Sequence, residues 1–517
     1  MNMGENSFWL FIMPRNLLRG TNNEDSKGGY SFGRPAVRRD EIPLKILKFT
    51  SSHNLATIIQ YETFKRKSFI VMRFLKENHL LFILFALALL TRFLFLSYPA
   101  EVVFDEVHFG KFISAYFTHQ YYFDIHPPLG KLMIAGFASL FNFGPSISFE
   151  KIGESANSQA LLMLRFLPAL FGALFVLVVY QIIIALGGSK KAAFLAGFLV
   201  IFDNAFLVES KFILVDSFLF FFGFASILVY LLSTKQEDRF KKHLLYFFSM
   251  ILAGLAFSIK WTGLSFLGIN LLLSFISFLK CVNLKRFFKF SAEIIISLIL
   301  FIFTYSLFFI PHFKFLTLSG LGDAFMTQEF QNTLAKENRD QKYLSFGSKF
   351  VELNQKMYSY NTGLTKGHAD SSKWYQWPLM RKPVWYWEKN SADTSANIYL
   401  MGNPLIWLSA LLAVFWGIYR LFKTKHHAYL VLLLGYFANL LPYAFVARAA
   451  FIYHYLPALT FAIILLALWA SKRKKEFYVS YLITALLIFL MISPISYGTV
   501  LSAKITVIYK TLMGLLH

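Results

Sequence analysis

Residues 79–97 read HLLFILFALALLTRFLFLS, and soon afterwards residues 104–131 read FDEVHFGKFISAYFTHQYYFDIHPPLGK. The first stretch is apolar and long enough for a helix to cross the hydrocarbon core of a bilayer. The second gathers acidic and imidazole groups just beyond it: Asp105, Glu106, His108, Asp124 and His126. This order predicts a membrane-spanning helix that ends beside a polar cluster at the boundary between lipid and water.

The composition extends the membrane prediction to the whole chain. Hydrophobic residues make up 56% of the 517 residues and the mean hydropathy is +0.53, which excludes a soluble globular protein. The formal net charge of +23 does not indicate a nucleic-acid partner, because cytoplasmic loops of membrane proteins carry an excess of Lys and Arg. Cys281 is the only cysteine, so an internal disulfide is excluded and redox chemistry is not expected.

Apolar runs of spanning length occur at eleven places, which predicts an all-α polytopic membrane protein because only closed backbone hydrogen bonding survives in lipid. The predicted spans are 79–97, 160–186, 191–209, 212–232, 244–260, 261–280, 291–311, 402–421, 429–447, 451–470 and 476–493. The apolar segment 131–143 is too short to span and is predicted to be an interfacial helix.

The distribution of Lys and Arg predicts the orientation. Connections after the even-numbered spans hold seventeen of them, whereas the opposite short turns hold only Lys211, Lys260 and Arg448. Positive charges favour the cytoplasmic side, so the amino terminus is expected there and both long connections outside. We therefore expect a multi-pass protein of the cell (plasma) membrane with its active site on the outer side.

The domain organisation follows from these spans. Residues 1–71 mix polar and basic residues without sustained periodicity, and Met72 begins a basic lead into the first span. We expect residues 1–71 to be a disordered or non-native extension. The remaining parts are an N-terminal transmembrane catalytic region at 72–311 with a first external loop at 98–159, a second external loop at 312–400, a C-terminal four-helix region at 401–493 and an external interfacial tail at 494–517.

Asp105 and Glu106 are the candidate catalytic residues. Neighbouring side chains cannot point the same way in regular structure, so one is expected to react and the other to support it. A solvated acidic turn is the alternative. Asp124 and His126, just before two prolines, are candidates for acceptor binding or loop organisation. The spacing of these groups matches no recurrent metal motif, so no metal is expected.

Cations on the predicted outer side are candidates for holding an anionic phosphate. Arg165, Lys260 and Arg448 share that side, and Arg grips two oxygens at once. For each, snorkelling to the interface or pairing with a carboxylate such as Glu209 or Asp216 is the alternative.

The second external loop adds another candidate. It contains HADSSKWYQWPLMRKPVWYW, whose tryptophans and tyrosines are typical of an aromatic belt at a membrane interface. A belt does not account for His368, which is a candidate contact on the acceptor or phosphate side.

Several stretches resemble the protein O-mannosyltransferase family, which are polytopic GT-C type glycosyltransferases. They are FDEVHFGKF, YYFDIHPPLGK, LMLRFLPALFGAL, IFDNAFLVESKFILVDSFLFFF, the pair Lys260-Trp261, SKWYQWPLMRKPVWYW, GNPLIW and FIYHYLPAL. They run from Phe104 to about Leu459 in the family's order. One departure is that Asp216 is followed by Ser217, where the family often has Pro.

The resemblance implies transfer of mannose, with inversion, from a polyprenyl- or dolichyl-phosphate carrier to Ser or Thr of proteins crossing to the outer side. It implies that Asp105 is the general base and that Glu106 and Asp124 organise the acceptor and the loop. The second external loop is too short for the trefoil domain that eukaryotic members insert, so a bacterial-type member is expected. The partners implied are a lipid-linked sugar donor, a secreted or membrane protein acceptor and the export machinery, with no cofactor.

Two other functions stay open from the sequence. One is transfer of another lipid-linked sugar, such as an aminopentose, to a lipid. The other is transport, since buried charges also mark permeation pathways. Charges near the middle of the membrane favour transport, whereas an outward cavity beside a lipid-facing groove favours transfer.

Overall fold

The computed structural model describes residues 52–280, 282–335, 343–363, 367–512 and 514. The described chain divides into two units between Ile70 and Val71. The first eleven helices are α1 (Ser52–Phe93), α2 (Glu106–Thr118), α3 (Leu129–Ser139), α4 (Ser158–Ala185), α5 (Lys190–Ile201), α6 (Asn204–Lys211), α7 (Asp216–Thr234), α8 (Arg239–Phe257), α9 (Leu264–Leu279), α10 (Leu284–Leu307) and α11 (Phe309–Phe315). The later ones are α12 (Gln328–Gln331), α13 (Phe346–Gly363), α14 (Pro404–Thr424), α15 (His427–Leu440), α16 (Leu456–Ala470), α17 (Lys475–Tyr497) and α18 (Ala503–Leu512).

The described residues contain nine helices long and apolar enough to cross a membrane, or ten if α5 and α6 form one bent span. The helical polytopic prediction is confirmed, but the predicted span 191–209 is not one helix. α5 and α6 are bent by 60° at a break, where the Asp203 side chain accepts from two α6 amides at 3.1 and 3.3 Å. An Asp at an N-cap starts a new helix, and the apolar flanks hide that signal.

Residues 52–71 of the predicted disordered or non-native extension form the start of α1. No Pro or Gly interrupts the sequence from 52 to 93, so nothing breaks the helix. The predicted span 79–97 falls on the end of this helix, which is not among the nine. The prediction for residues 1–51 lies outside the described residues.

The burial of the helices separates a centre from a periphery. In α16, 83% of the most apolar window is buried, and in α7 the share is 67%. The helical stretch 284–315 buries only 28% and exposes large apolar side chains instead. A helix that is apolar all round is buried in protein or faces lipid, so α16 and α7 form the core and α10 the rim.

A small antiparallel sheet lies in the connection before α14, within the otherwise helical described residues. β1 (Val384–Asn390) pairs with β2 (Thr394–Leu400), and β2 pairs with β3 (Leu501–Ser502), which belongs to the predicted interfacial tail. The run VWYW is rich in β-formers, although it also fits an interfacial belt. The register slips between Trp385 and Trp387, so Tyr386 is the extra residue of a bulge. Bulges turn a side chain in a new direction, here toward the polar cluster.

Candidate active site

Asp105 lies at the N-cap position of α2 but does not cap the helix. Its carboxylate makes no hydrogen bond to any residue that the structure describes, and the side chain is half-buried. The preceding residue, Phe104, has φ of 44°, in the left-handed region that non-glycine residues rarely adopt. Its amide donates to the Tyr386 carbonyl at 3.0 Å, and the two rings stack with centroids 4.1 Å apart. The bulged hairpin therefore fixes the backbone that presents Asp105.

The surroundings of Asp105 favour a basic carboxylate. Burial raises the pKa of Asp105 above its ordinary value, and the positive charges of His108 and Lys260 oppose part of that rise. The carboxylates of Asp216 and Asp124 add to it. A raised pKa makes the ionised form a stronger proton acceptor.

Glu106 and Arg165 form a fully buried ion pair that joins α2 to α4. Arg165 Nε and Nη2 each donate to one Glu106 oxygen at 2.8 Å. The other guanidinium hydrogens donate to three backbone carbonyls, those of Leu96, Pro99 and Glu101. Glu106 also accepts from the amides of Val103 and Ile213 at 2.9 Å each.

This saturation corrects two predictions. All five N–H groups of Arg165 already donate, so Arg165 has none left for a donor phosphate. Glu106, predicted as catalytic, has both oxygens occupied by two donors each and is fully buried. We interpret the pair as the structural support that holds the start of α2.

Asp124 is held by Lys131, a residue that the sequence did not single out. The Lys131 ammonium donates to Asp124 Oδ2 and to the carbonyls of His126 and Pro127 at 2.9 and 3.0 Å. These bonds use its three hydrogens and fold the loop back on the first turn of α3. These contacts agree with the loop-organising role predicted for Asp124. A role of Asp124 toward the acceptor stays a prediction.

Asp216 and Lys260 form a second ion pair at this end of the helices. Lys260 Nζ lies 2.5 Å from Asp216 Oδ2, and both side chains are 8% exposed. The ammonium also lies 5.4 Å from the centre of the Tyr453 ring. Glu209 accepts from the Tyr386 hydroxyl at 2.8 Å. Pairing with a carboxylate, the alternative weighed for Lys260, is what the structure contains.

His126 and Arg448 are the next two predicted residues, and the charge of Arg448 acts on the His126 ring. Burial, with the positive charges of Lys260 and Arg448, holds the pKa of His126 well below its usual value, so the ring is neutral. Arg448 is half-buried, and one of its terminal nitrogens donates to the Asn361 side chain. Its other N–H groups make no bond to residues in the described ranges, so they are available to an anion.

His368 is exposed and lies at the edge of the same region. Its ring packs edge-on against Phe451 with centroids 5.2 Å apart, and its Nδ1 accepts from the Asp370 amide at 3.2 Å. His454, three residues after Phe451, stacks on Trp377 with centroids 6.0 Å apart. Within the described residues, no group of three His, Cys, Asp or Glu has the geometry of a metal site.

Of the predicted site residues, the structure therefore groups Asp105, Asp124, His126, Lys260 and Arg448 around one cluster and leaves His368 at its edge. Lys131, Tyr386 and Tyr453 were missed. For Lys131, its position after His-Pro-Pro was an available signal, because a helix that starts there points its first turn back at the loop.

Two family descriptions match this sequence. The one for dolichyl-phosphate-mannose-protein mannosyltransferases covers residues 82–317, and the one for the C-terminal four-transmembrane region of protein O-mannosyltransferases covers residues 346–512. Together they match most of the chain. The chain belongs to the protein O-mannosyltransferase family. The resemblance read from the motifs is confirmed.

Curated relatives include fungal members of the family. Dolichyl-phosphate-mannose–protein mannosyltransferase 4 of Candida albicans is 35% identical over 276 residues, which is 48% of this chain and 34% of the relative. The enzyme of the same name from Schizosaccharomyces pombe is 37% identical over 273 residues, 50% of this chain and 35% of the relative. The chain thus spans about one third of the length of these relatives.

The fold also has a solved counterpart. The Saccharomyces cerevisiae protein O-mannosyltransferase Pmt1-Pmt2 complex bound to the sugar donor matches with a TM-score of 0.74 and 21% identity, over 82% of this chain and 90% of that one. At this identity the likeness shows a shared fold. The GT-C architecture and the multi-pass membrane character are thereby confirmed.

Proposed function

We propose that this protein transfers mannose from a polyprenyl-phosphate carrier to Ser or Thr hydroxyls of proteins. Family membership supports the reaction class, and one observation carries the assignment of the base. Asp105 is the carboxylate at the centre of the cluster that has no hydrogen-bond partner in the described part of the chain. The neighbouring carboxylates are paired with cations: Glu106 with Arg165, Asp124 with Lys131, and Asp216 with Lys260.

The step is a single displacement at the sugar's anomeric carbon. The acceptor oxygen forms a bond to that carbon while the bond to the carrier phosphate oxygen breaks, and the hydroxyl proton passes to Asp105. Attack from the face opposite the phosphate inverts the anomeric centre. The leaving group is an anionic phosphate, so it needs charge stabilisation more than a proton, and one carboxylate suffices.

Arg448 is our leading candidate for stabilising that phosphate. It is half-buried and has N–H groups without a partner in the described residues, and its positive charge, like that of Lys260, lowers the pKa of His126. Lys260 contributes its charge while it stays paired with Asp216. His368 is exposed at the edge and is the candidate for a peripheral contact.

The same proposal includes the orientation in the membrane, the type of family member and the partners. We propose that the active site faces the outer side of the cell membrane, that the amino terminus is cytoplasmic and that this is a compact, bacterial-type member acting on exported proteins beside the export machinery. The excess of Lys and Arg on the opposite connections supports this orientation.

The position of the charges favours transfer over transport. Asp216 is the first residue of α7, and Lys260 lies just beyond the end of α8, so the pair lies at helix ends instead of mid-helix. A transport site is expected near the middle of the membrane, at broken helices in matched halves.

The proposal is tested with purified protein, polyprenyl-phosphate carrying labelled mannose, and a Ser/Thr-rich peptide. Label should reach the peptide in the wild type, and Asp105→Asn should lower the rate by about two orders of magnitude or more, because it removes the base but keeps the shape. Glu150→Gln, on the same external connection with a side chain 69% exposed, is the matched control and should retain the rate. Label in a lipid acceptor, or near-normal turnover by Asp105→Asn, would refute the proposal.

A further inference from the structure

A second polar cleft opens at the other end of the same helices. It is about 160 Å³ in volume and lies between the end of α7, the start of α8, the end of α9 and the start of α10. The Asp105 cluster lies beside the start of α7 at Asp216. Since α7 runs from Asp216 to Thr234, the two sites are separated by roughly 27 Å along the helix at 1.5 Å per residue.

The cleft is positively charged. Among the described residues that line it, Lys242, Arg286 and Lys289 are cations and Glu293 is the one carboxylate. Glu293 is engaged by His243 Nε2 at 3.3 Å and by Lys289 at 3.8 Å. The Lys242 ammonium has no hydrogen bond or ion pair within the described residues, and Arg286 uses one terminal nitrogen on the Ser277 carbonyl at 3.0 Å. Lys242 and Arg286 therefore keep donors for an anion.

Two tyrosines line the cleft, and their hydroxyls are already engaged. The Ser274 hydroxyl donates to the Asn270 carbonyl at 2.9 Å, and the Ser297 hydroxyl donates to the Glu293 carbonyl at 2.6 Å. Each serine has a single hydrogen, so its oxygen accepts from the tyrosine hydroxyl, Tyr230 at 3.3 Å and Tyr246 at 3.4 Å. Among the described lining residues, the donors left for a phosphate are therefore the cationic groups of Lys242 and Arg286.

Exposed phenylalanines lie beside the cleft. Phe278 and Phe290 line it, and the Phe275 ring packs against both with centroids 6.4 and 6.1 Å apart. The Phe287 ring also lies 6.4 Å from that of Phe278. Phe275 and Phe287 are 43% and 49% exposed. A charged cleft bordered by exposed apolar rings fits a ligand that has both a phosphate head and hydrocarbon chains.

We propose that this cleft binds the phosphate headgroup of an anionic membrane lipid, with the acyl chains along the exposed Phe275 and Phe287 rings of α9 and α10. The excess of basic residues on this side alone does not require a site, since Lys235 and Lys285 are basic, exposed and outside the lining. Lys235 and Lys285 therefore serve as matched controls for the lining residues Lys242 and Arg286.

The test uses delipidated full-length protein in detergent and measures binding of short-chain phosphatidic acid, short-chain phosphatidylcholine and inorganic phosphate. Phosphatidic acid should bind best. Lys242→Gln with Arg286→Gln should weaken its binding at least ~10-fold, since two charge-assisted hydrogen bonds are lost. The control, Lys235→Gln with Lys285→Gln, removes the same charge and should bind as the wild type does.

Each other outcome contradicts the proposal. Equal binding of phosphatidylcholine would remove the phosphate specificity, and inorganic phosphate that binds as tightly would make the ligand a free anion. An equal loss of phosphatidic acid binding in the control variant would show that the effect depends only on general surface charge. If the double variant unfolds, Lys242→Gln alone serves, because the ammonium that it removes has no partner in the described structure. Normal phosphatidic acid binding by a folded variant would end the idea.

Discussion

The ring of Phe104 stacks on the ring of Tyr386 with centroids 4.1 Å apart, and the Phe104 amide donates to the Tyr386 carbonyl at 3.0 Å. The first residue precedes Asp105, and the second is the bulged residue of β1, more than 280 positions later. The Tyr386 hydroxyl continues to Glu209 at 2.8 Å. The hairpin therefore holds the left-handed backbone that presents Asp105, the proposed base.

Substitutions at Tyr386 should separate the ring from the hydroxyl. Tyr386→Ala removes the stack and should lower transfer by about 100-fold, because a misplacement of ~1 Å at a base has that cost. Tyr386→Phe keeps the stack and loses one hydrogen bond, so its rate should stay within about tenfold. Initial rates with the labelled donor measure both. Equal rates in the two variants would show that the stack does not position Asp105.

The buried pair of Glu106 and Arg165 should govern stability. Glu106→Gln leaves the Arg165 charge buried without a counter-ion, so the free energy of unfolding should fall by about 3–5 kcal/mol. Thermal unfolding of the protein in detergent measures this. The exposed pair of Lys111 and Glu150, 3.0 Å apart, is the control, and Glu150→Gln should change the midpoint little.

A double variant distinguishes this structural role from a catalytic one. Glu106→Gln with Arg165→Met removes both charges and should be more stable than Glu106→Gln alone, since no uncompensated cation remains. A stable, inactive Glu106→Gln protein would instead return Glu106 to the chemistry.

The ionisation of Asp105 should determine how the transfer rate falls at low pH. The base is the ionised form, and burial raises its pKa, so transfer should be slow at low pH and rise as the pH passes a midpoint above the ordinary value of about 3.9. The value of kcat/KM for the peptide, measured from about pH 4 to pH 8, gives that midpoint. His108→Gln removes a positive charge that lowers the pKa of Asp105, so the midpoint should move higher. If the midpoint does not move in His108→Gln, the base is another group. The same conclusion follows if the wild-type midpoint lies at the ordinary value.

The sequence predicted the helical membrane body because hydropathy adds up along a run and needs no tertiary information. It missed the break at Asp203, where one polar residue between apolar flanks starts a new helix. It also missed the hairpin, since the aromatic residues of β1 fit an interfacial belt equally well. Both misses concern local features whose meaning depends on what packs against them.

The candidate site residues likewise divide into those that local motifs predict and those whose role depends on a partner distant in sequence. Local motifs pointed to Asp105, Asp124 and His126, which lie close together in sequence. Arg165 was assigned to a phosphate because charge and side alone do not reveal a partner, and its partner is 59 positions away. Whether a buried cation serves a ligand or the protein itself is decided by which N–H groups are already used.

Arg448 should act on the donor and not on the acceptor. Arg448→Gln removes the charge and the free N–H groups, so KM for the lipid-linked donor should rise at least ~10-fold, while KM for the peptide stays unchanged. Arg448→Lys keeps the charge but not the planar fork, so it should fall between the wild type and Arg448→Gln. Arg381→Gln, an exposed arginine of the second long connection, is the control and should leave both constants alone. If both KM values rose together in Arg448→Gln, the bond from Arg448 to Asn361 would be the relevant contact, since Asn361 also donates to the Ile125 carbonyl at 2.9 Å and so braces the loop that carries His126.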